Sequence, residues 1–158
     1  MPLVFIFAGF LLSTPARSAA QDPFTDASRV TGIPVQLLVA ISRVESSHHP
    51  WALNLNGEAV YPSSREEAEE ILKAAPDNVD IGLMQINYRI WGRRLGLTKV
   101  QLLDDHINIW AGAAILRFYF SQYPFWEAVG RYHSGDRSRR IWYAWRVYRA
   151  LFTAGNPH

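Results

Sequence analysis

The sequence predicts a predominantly helical α+β fold, one domain in which a small antiparallel sheet flanks a helical bundle. Three observations carry this. Asn56-Gly57, the preferred pair for a two-residue hairpin turn, lies between Ala52-Leu53-Asn54-Leu55 and Glu58-Ala59-Val60-Tyr61. Apolar residues recur at spacings of three and four along residues 33–45 and again through most of 104–152. With 158 residues, 49% of them hydrophobic, the chain has room for one domain and enough apolar surface to bury a core.

Composition narrows the chemistry. There is no cysteine, which excludes a disulfide framework, a thiolate metal site and a cysteine nucleophile. A formal charge of +2 is too weak to argue for nucleic acid. Aromatic residues make up 13% of the chain, more than a small core needs, so some faces are left for binding sugars or bases. Residues 1–20 differ from the rest: Leu3 to Leu12 is apolar, followed by the small-residue stretch Ser13 to Ala20. This reads as a secretory signal peptide cut after Ala20, although no Lys or Arg precedes the apolar run; a buried N-terminal helix is the competing reading. Residues 21–158 then form the single domain.

From Thr31-Gly32-Ile33-Pro34, with Thr31 as a possible cap and Pro34 near the first turn, a helix runs through Leu37, Leu38, Ile41 and Val44. The hairpin, about 52–61, pairs Leu55 with Glu58, Asn54 with Ala59 and Leu53 with Val60. Leu53, Leu55 and Val60 take one face, and Asn54 is free to face a polar groove on the other. Ser63 or Ser64 opens a helix through Ala68, Ile71 and Leu72, with Glu66 or Glu67 completing a capping box. Its acidic run, Glu66, Glu67, Glu69 and Glu70, is a solvated face with no ligand at metal-like spacing. Loose alternation over about 79–87 predicts a third strand, with Gly82 permitting close backbone approach.

The second half is helical. After a short piece from Trp91 to Leu95, Thr98 can cap a turn, and Asp104 or Asp105 opens a long helix with Ile107, Trp110, Ala111, Ala114, Ile115 and Phe118 at core spacing. Gly112 there implies tight packing. A helix from Pro124 to Tyr132 follows, and Arg137 to Phe152 closes the domain with Ile141, Trp145, Tyr148 and Phe152 as its apolar stripe.

Glu45 stands out. It lies four residues after Ile41 and seven after Leu38, so it shares the apolar face of its helix. Burial disfavours the charged carboxylate and raises its pKa, which keeps a fraction protonated near neutrality, as a general acid requires. The competing reading has Glu45 fray off the helix end to pair with Arg43 or Arg89. His48-His49 do not share a helix face and read as surface or cleft-rim residues, not metal ligands.

Glu45-Ser46, Pro50-x-Ala52-x-Asn54-x-Asn56-Gly57, Asp80-x-Gly82-Leu83-Met84-Gln85-Ile86-Asn87, Asn108-Ile109 with Gly112 and Ile115-Leu116, and Tyr132-His133-Ser134-Gly135 occur in an order that resembles the lytic transglycosylases of the goose-type lysozyme superfamily. The resemblance covers about residues 30–135 and is nearest to the small exported enzymes that accompany conjugation, type III and type IV secretion and pilus assembly. It implies a lysozyme-like fold and cleavage of the β-1,4 bond between N-acetylmuramic acid and N-acetylglucosamine in peptidoglycan, leaving a 1,6-anhydro sugar. No cofactor or metal is implied.

In that family Glu45 takes the catalytic acid position. Asn54, Gln85 and Asn87 match positions lining the sugar subsites, and Tyr132 matches a tyrosine whose hydroxyl approaches the catalytic carboxyl. Ser46, Asp80 and Met84 would support the site. Two positions depart from the pattern: His133 stands where many relatives carry Asn, and Asn87 where many carry Met. The implied partners are peptidoglycan strands and a secretion or conjugation apparatus, approached by a periplasmic monomer, with no nucleic acid involved. Two other functions remain open: a hydrolytic lysozyme pairing Glu45 with Asp80, and a wall-binding assembly factor.

Overall fold

The computed structural model describes residues 22–153; the expected signal peptide, residues 1–20, lies outside them. The first described element is a helix that the sequence reading missed. Asp22 caps α1 (Pro23–Thr31) by accepting from the Thr25 N–H at 2.9 Å, Pro23 begins the helix, and Gly32 ends it at φ +76°. Thr31 therefore closes α1 and does not cap α2 (Val35–Ser46), which starts after Pro34 with no side-chain cap.

The hairpin forms in the expected register. In β1 (Leu53–Leu55) and β2 (Glu58–Val60), Leu53 faces Val60, Asn54 faces Ala59 and Leu55 faces Glu58. Asn56 and Gly57 both adopt positive φ, as this tight turn demands. In α3 (Arg65–Ala74) the cap is Ser64, which accepts from the Glu67 N–H, and the Glu67 carboxylate accepts from the Ser63 N–H at 2.7 Å.

The expected third strand is two strands. β3 (Val79–Ile81) pairs with β1 on one side and β4 (Ile86–Asn87) on the other, giving an antiparallel sheet in the order β2-β1-β3-β4. The chain reverses between them at Gly82 to Gln85, where Gly82 has φ +79° and Gln85 φ +47°. A Cβ at Gly82 would collide with the Asn108 amide and the Leu102 carbonyl, so only glycine fits.

Asp104 caps α4 (Asp105–Phe120), accepting from the Ile107 N–H at 3.0 Å. This helix is apolar on most of its surface, and α1, α2 and α5 (Phe125–His133) pack around it. At Gly112 an added Cβ would lie 2.7 Å from Met84 Cε, which explains the small residue in mid-helix. The core gathers Leu38 and Ile41 from α2, Met84 from the reversal, and Ile109 and Leu116 from α4. Trp110 and Phe118, expected at core spacing, face outward instead.

The larger correction concerns α6 (Arg137–Thr153). Its buried residues are Tyr143 and Val147, and the apolar stripe expected to close the domain, Ile141, Trp145, Tyr148 and Phe152, is exposed. Two apolar stripes with the same helical period run along this helix, and the inward one carries the smaller apolar area. Among the described residues no helix is long and apolar enough to cross a membrane.

Candidate active site

Glu45 sits in the last turn of α2, where the chain leaves the helix through Ser47 and His48 at positive φ. Ser46 anchors that exit. Its hydroxyl is placed 3.1 Å from the Ser42 carbonyl and 2.9 Å from the Leu83 carbonyl, which ties the end of α2 to the reversal between β3 and β4.

The reversal itself is held from three directions. The buried Asn108 amide accepts from the Met84 N–H at 2.8 Å and donates to the carbonyls of Ile81 and Leu102 at 2.8 and 2.7 Å. Gln85 Nε2 donates to the carbonyls of Ala52 and Gly82, both at 3.0 Å. The Tyr132 hydroxyl donates to the Met84 carbonyl at 2.7 Å. Asn108 belongs to the Asn-Ile block of the resemblance, yet only the structure gives it this role.

Strand register completes the opposite wall. Asn54 pairs with Asp80 across β1 and β3, and Asp80 with Asn87 across β3 and β4. Directly paired residues share a sheet face, so the three polar side chains stand in a row. Asn87 Nδ2 donates to Asp80 at 2.8 Å and to Asn78 at 3.2 Å. Asn54 Oδ1 accepts from the Gly57 N–H at 2.7 Å, bracing the hairpin tip. Together with Glu45, Gln85, Tyr132, His133 and Arg146, this row lines a polar cleft of about 480 Å³. The cleft therefore gathers Glu45, Asn54, Asp80, Gln85, Asn87, Tyr132 and His133, while Ser46 and Met84 support it from behind.

The Glu45 side chain is only 11% exposed. Burial lifts its pKa from the ordinary 4.5 to about 7, the Tyr143 hydroxyl opposes that rise, the Asp80 charge adds to it, and Arg146 opposes it weakly. Tyr143 and Arg146 are residues that sequence reasoning missed. Tyr143 has the larger effect on Glu45. Its buried hydroxyl makes no hydrogen bond of normal geometry among the described residues, yet it is close enough to hold down the proton affinity of Glu45. It stands as a donor beside the carboxyl without being bonded to it. The Tyr132 hydroxyl, given that place by the resemblance, has its proton committed to Met84.

A family model described as Transglycosylase SLT domain matches residues 22–146 of the 158. The chain belongs to this family. It is a peptidoglycan lytic transglycosylase with a lysozyme-like fold, and peptidoglycan is its substrate. No curated protein matches the chain at a significant level.

In this transglycosylase the departure at His133 has a definite geometry. Its ring stacks on Tyr143 with centroids 4.5 Å apart and planes 2° from parallel. Nδ1 lies 3.8 Å from Glu45 Oε1, beyond hydrogen-bond reach. Partial burial, then Arg146 and Arg139, lowers the pKa of His133, so the ring is neutral near pH 7 and forms no ion pair with Glu45 there. Asp80 is also pushed upward by burial, with the Asn87 hydrogen bond opposing. Among the described residues no group of His, Asp and Glu is arranged to hold a metal ion.

The raised pKa of Glu45 also ties stability to pH. Between 4.5 and about 7 the folded transglycosylase keeps a proton that the unfolded chain releases, so the folded state loses stability as pH rises through that window. At a cost of about 1.4 kcal/mol per pH unit, the loss approaches about 3 kcal/mol above pH 7. Glu45→Gln is accordingly expected to raise unfolding stability by about 1–3 kcal/mol at pH 8 and by little at pH 4.5. Urea unfolding at the two pH values measures this. Equal effects at both would show that Glu45 is not desolvated.

Proposed function

We propose that Glu45 alone performs both proton transfers of the reaction, as acid and then as base. The observation that carries this is a buried carboxyl, lifted to about 7, that opens onto a polar cleft in which Asp80, the other carboxyl of the lining, is bonded to Asn87. Protonated Glu45 gives its proton to the glycosidic oxygen as the bond from C1 of N-acetylmuramic acid to that oxygen breaks. The N-acetylglucosamine side leaves as an alcohol. Charge developing at C1 is shared by the carbonyl oxygen of the substrate's own N-acetyl group, so no second carboxylate is required. Glu45, now a carboxylate beside Tyr143, takes the proton of the 6-hydroxyl as O6 bonds to C1. The enzyme is regenerated and no water is added.

Asn54, Gln85 and Asn87 bind sugar in this scheme. Asn54 keeps its amide nitrogen for ligand, since its oxygen is used by Gly57. Gln85 directs Nε2 to backbone carbonyls and leaves its oxygen to accept a sugar hydroxyl or amide. Tyr132 and His133 close the wall from α5, with Tyr132 acting through the Met84 carbonyl and His133 as a flat neutral surface against Tyr143.

Asp80 favours one second reading. It lines the cleft and its charge raises the pKa of Glu45, so it stands where a hydrolytic lysozyme would use it to activate water. Asp80→Asn separates the two. Under the proposed mechanism the variant retains cleavage within about tenfold, still yields anhydro products, and moves the alkaline limb of its pH profile down because a neighbouring negative charge is gone. Mass spectrometry of digested sacculi reads the products, since anhydro-muropeptides weigh one water less. Hydrated products that vanish in Asp80→Asn would establish the hydrolase.

The wider role rests on resemblance to small exported enzymes of secretion and conjugation machines. In this reading residues 1–20 direct export, residues 21–158 act as a monomer in the periplasm, and cleavage opens the wall locally for a type III, type IV or conjugation apparatus. A wall-binding factor with incidental catalysis would keep its role in secretion or transfer when Glu45 is replaced by Gln; the proposed enzyme would lose it.

A further inference from the structure

Helix α6 spends its larger apolar stripe on solvent. Ile141, Trp145, Tyr148 and Phe152 follow at spacings of four, three and four, and Trp145 and Phe152 are 60% and 67% exposed. Trp126 of α5 joins them, edge-on to Tyr148 with centroids 5.5 Å apart, and Trp145 meets Tyr148 in the same way at 5.5 Å. Between the two helices these rings enclose a mostly apolar groove of about 600 Å³, with Arg137, Arg140 and Glu127 at its lip. A patch of this kind on a small domain marks an interaction surface.

The lip is cationic. From 137 to 153 the helix carries five arginines and no acid. Among the described residues none of Arg137, Arg139, Arg140 or Arg149 takes part in a salt bridge. Glu127 does not offset them, because its carboxylate is held by Arg131 at 2.9 Å. A two-fold pairing of this face with a second copy would set arginine against arginine, which disfavours a homodimer. A glycan fits less well, since the only uncharged hydrogen-bonding groups among the lining residues are the Trp126 and Trp145 indoles and the Tyr148 hydroxyl, and the carboxylate of Glu127 is already held by Arg131. A bilayer is flat, whereas this surface is concave and admits a row of side chains.

We propose that the groove between α5 and α6 docks an acidic amphipathic helix of a partner protein. Its apolar side chains, one turn apart, enter between Trp126, Trp145 and Ile141, and its flanking carboxylates meet Arg137 and Arg140. The aromatic rings are the anchors of such an interface and the arginines set its orientation and encounter rate. The groove lies on the outer side of the helices whose other faces supply Tyr132, His133 and Arg146 to the cleft. The lip residue Glu127 bonds to Arg131, which itself lines the cleft, so the two surfaces share one ion pair. The proposal stands on the groove alone and does not depend on the mechanism assigned to Glu45.

A library of helical peptides displayed on phage, selected against the purified chain, provides the test. Enriched peptides are expected to carry apolar residues at i, i+3 or i+4, and i+7, flanked by Asp and Glu. Their Kd is expected to rise at least about tenfold for Trp145→Ala and for Arg137→Glu, the range for loss of an anchor or a complementary charge. Wall digestion by both variants should stay within about twofold, because neither residue touches the cleft. Matching thermal midpoints confirm that these exposed substitutions leave the fold intact. Enrichment without an acidic excess, binding insensitive to both variants, or no enrichment overturns the proposal. So do sedimentation with phosphatidylglycerol vesicles that Trp145→Ala abolishes, which assigns the face to membrane, and a dimer that Trp145→Ala dissolves, which assigns it to a second copy.

Discussion

Glu45→Gln is expected to lower peptidoglycan cleavage by at least about 1,000-fold, the range for loss of a positioned acid that must also serve as base. Glutamine fills the same space and keeps a hydrogen-bonding head, so the fold and substrate affinity should persist, and the loss should fall on kcat. A companion result concerns pH. The free enzyme must hold Glu45 protonated to begin, so kcat/KM should fall about tenfold per pH unit above about 7, the pKa to which burial lifts the carboxyl. Sacculus turbidity assays across pH measure both. Residual activity in Glu45→Gln within tenfold of the parent would assign the chemistry elsewhere.

Asn108→Ala is expected to cost about 3–5 kcal/mol of stability, because it strands buried partners. The Met84 N–H and the carbonyls of Ile81 and Leu102 lose, all at once, the one side-chain partner each has among the described residues. Those groups belong to the reversal that carries Gln85 into the cleft, so activity should decline with stability. Asn108→Asp keeps an acceptor for Met84 but removes both donations, and should be nearly as damaging. Urea unfolding gives the number. A cost below about 1 kcal/mol would mean that the reversal holds itself without α4.

Local signals were readable because short-range physics decides them. Asn56-Gly57 set the hairpin register, Ser64 with Glu67 the start of α3, and Asp104 the start of α4. The first helix was missed although Asp22-Pro23 and Gly32 flank it with ordinary start and stop chemistry. By contrast, the reversal at Gly82 to Gln85 could not be read from alternation. A left-handed Gln85 is held by a long-range bond to Ala52 together with a local one to Gly82.

The aromatic residues of α6 defeated periodicity in a different way. Two stripes share the same spacing, and the sequence does not say which faces inward. The core chose Tyr143 and Val147, and with Tyr143 came a hydroxyl beside Glu45 that no local pattern marks. The Asn54, Asp80 and Asn87 row likewise follows from strand pairing, which joins residues far apart in the chain. Sequence therefore named the polar row and the acid of the cleft, and the fold decided which of the named residues stand behind it and which line it.

The account rests on Glu45 holding its proton near neutral pH inside the folded domain. Its side-chain carboxyl can be followed by carbon NMR in chain labelled at glutamate, with Glu45→Gln identifying the signal. A titration midpoint near 7, falling when Asp80 is replaced by Asn, is the predicted result. A midpoint at the ordinary 4.5 in the folded protein would contradict it.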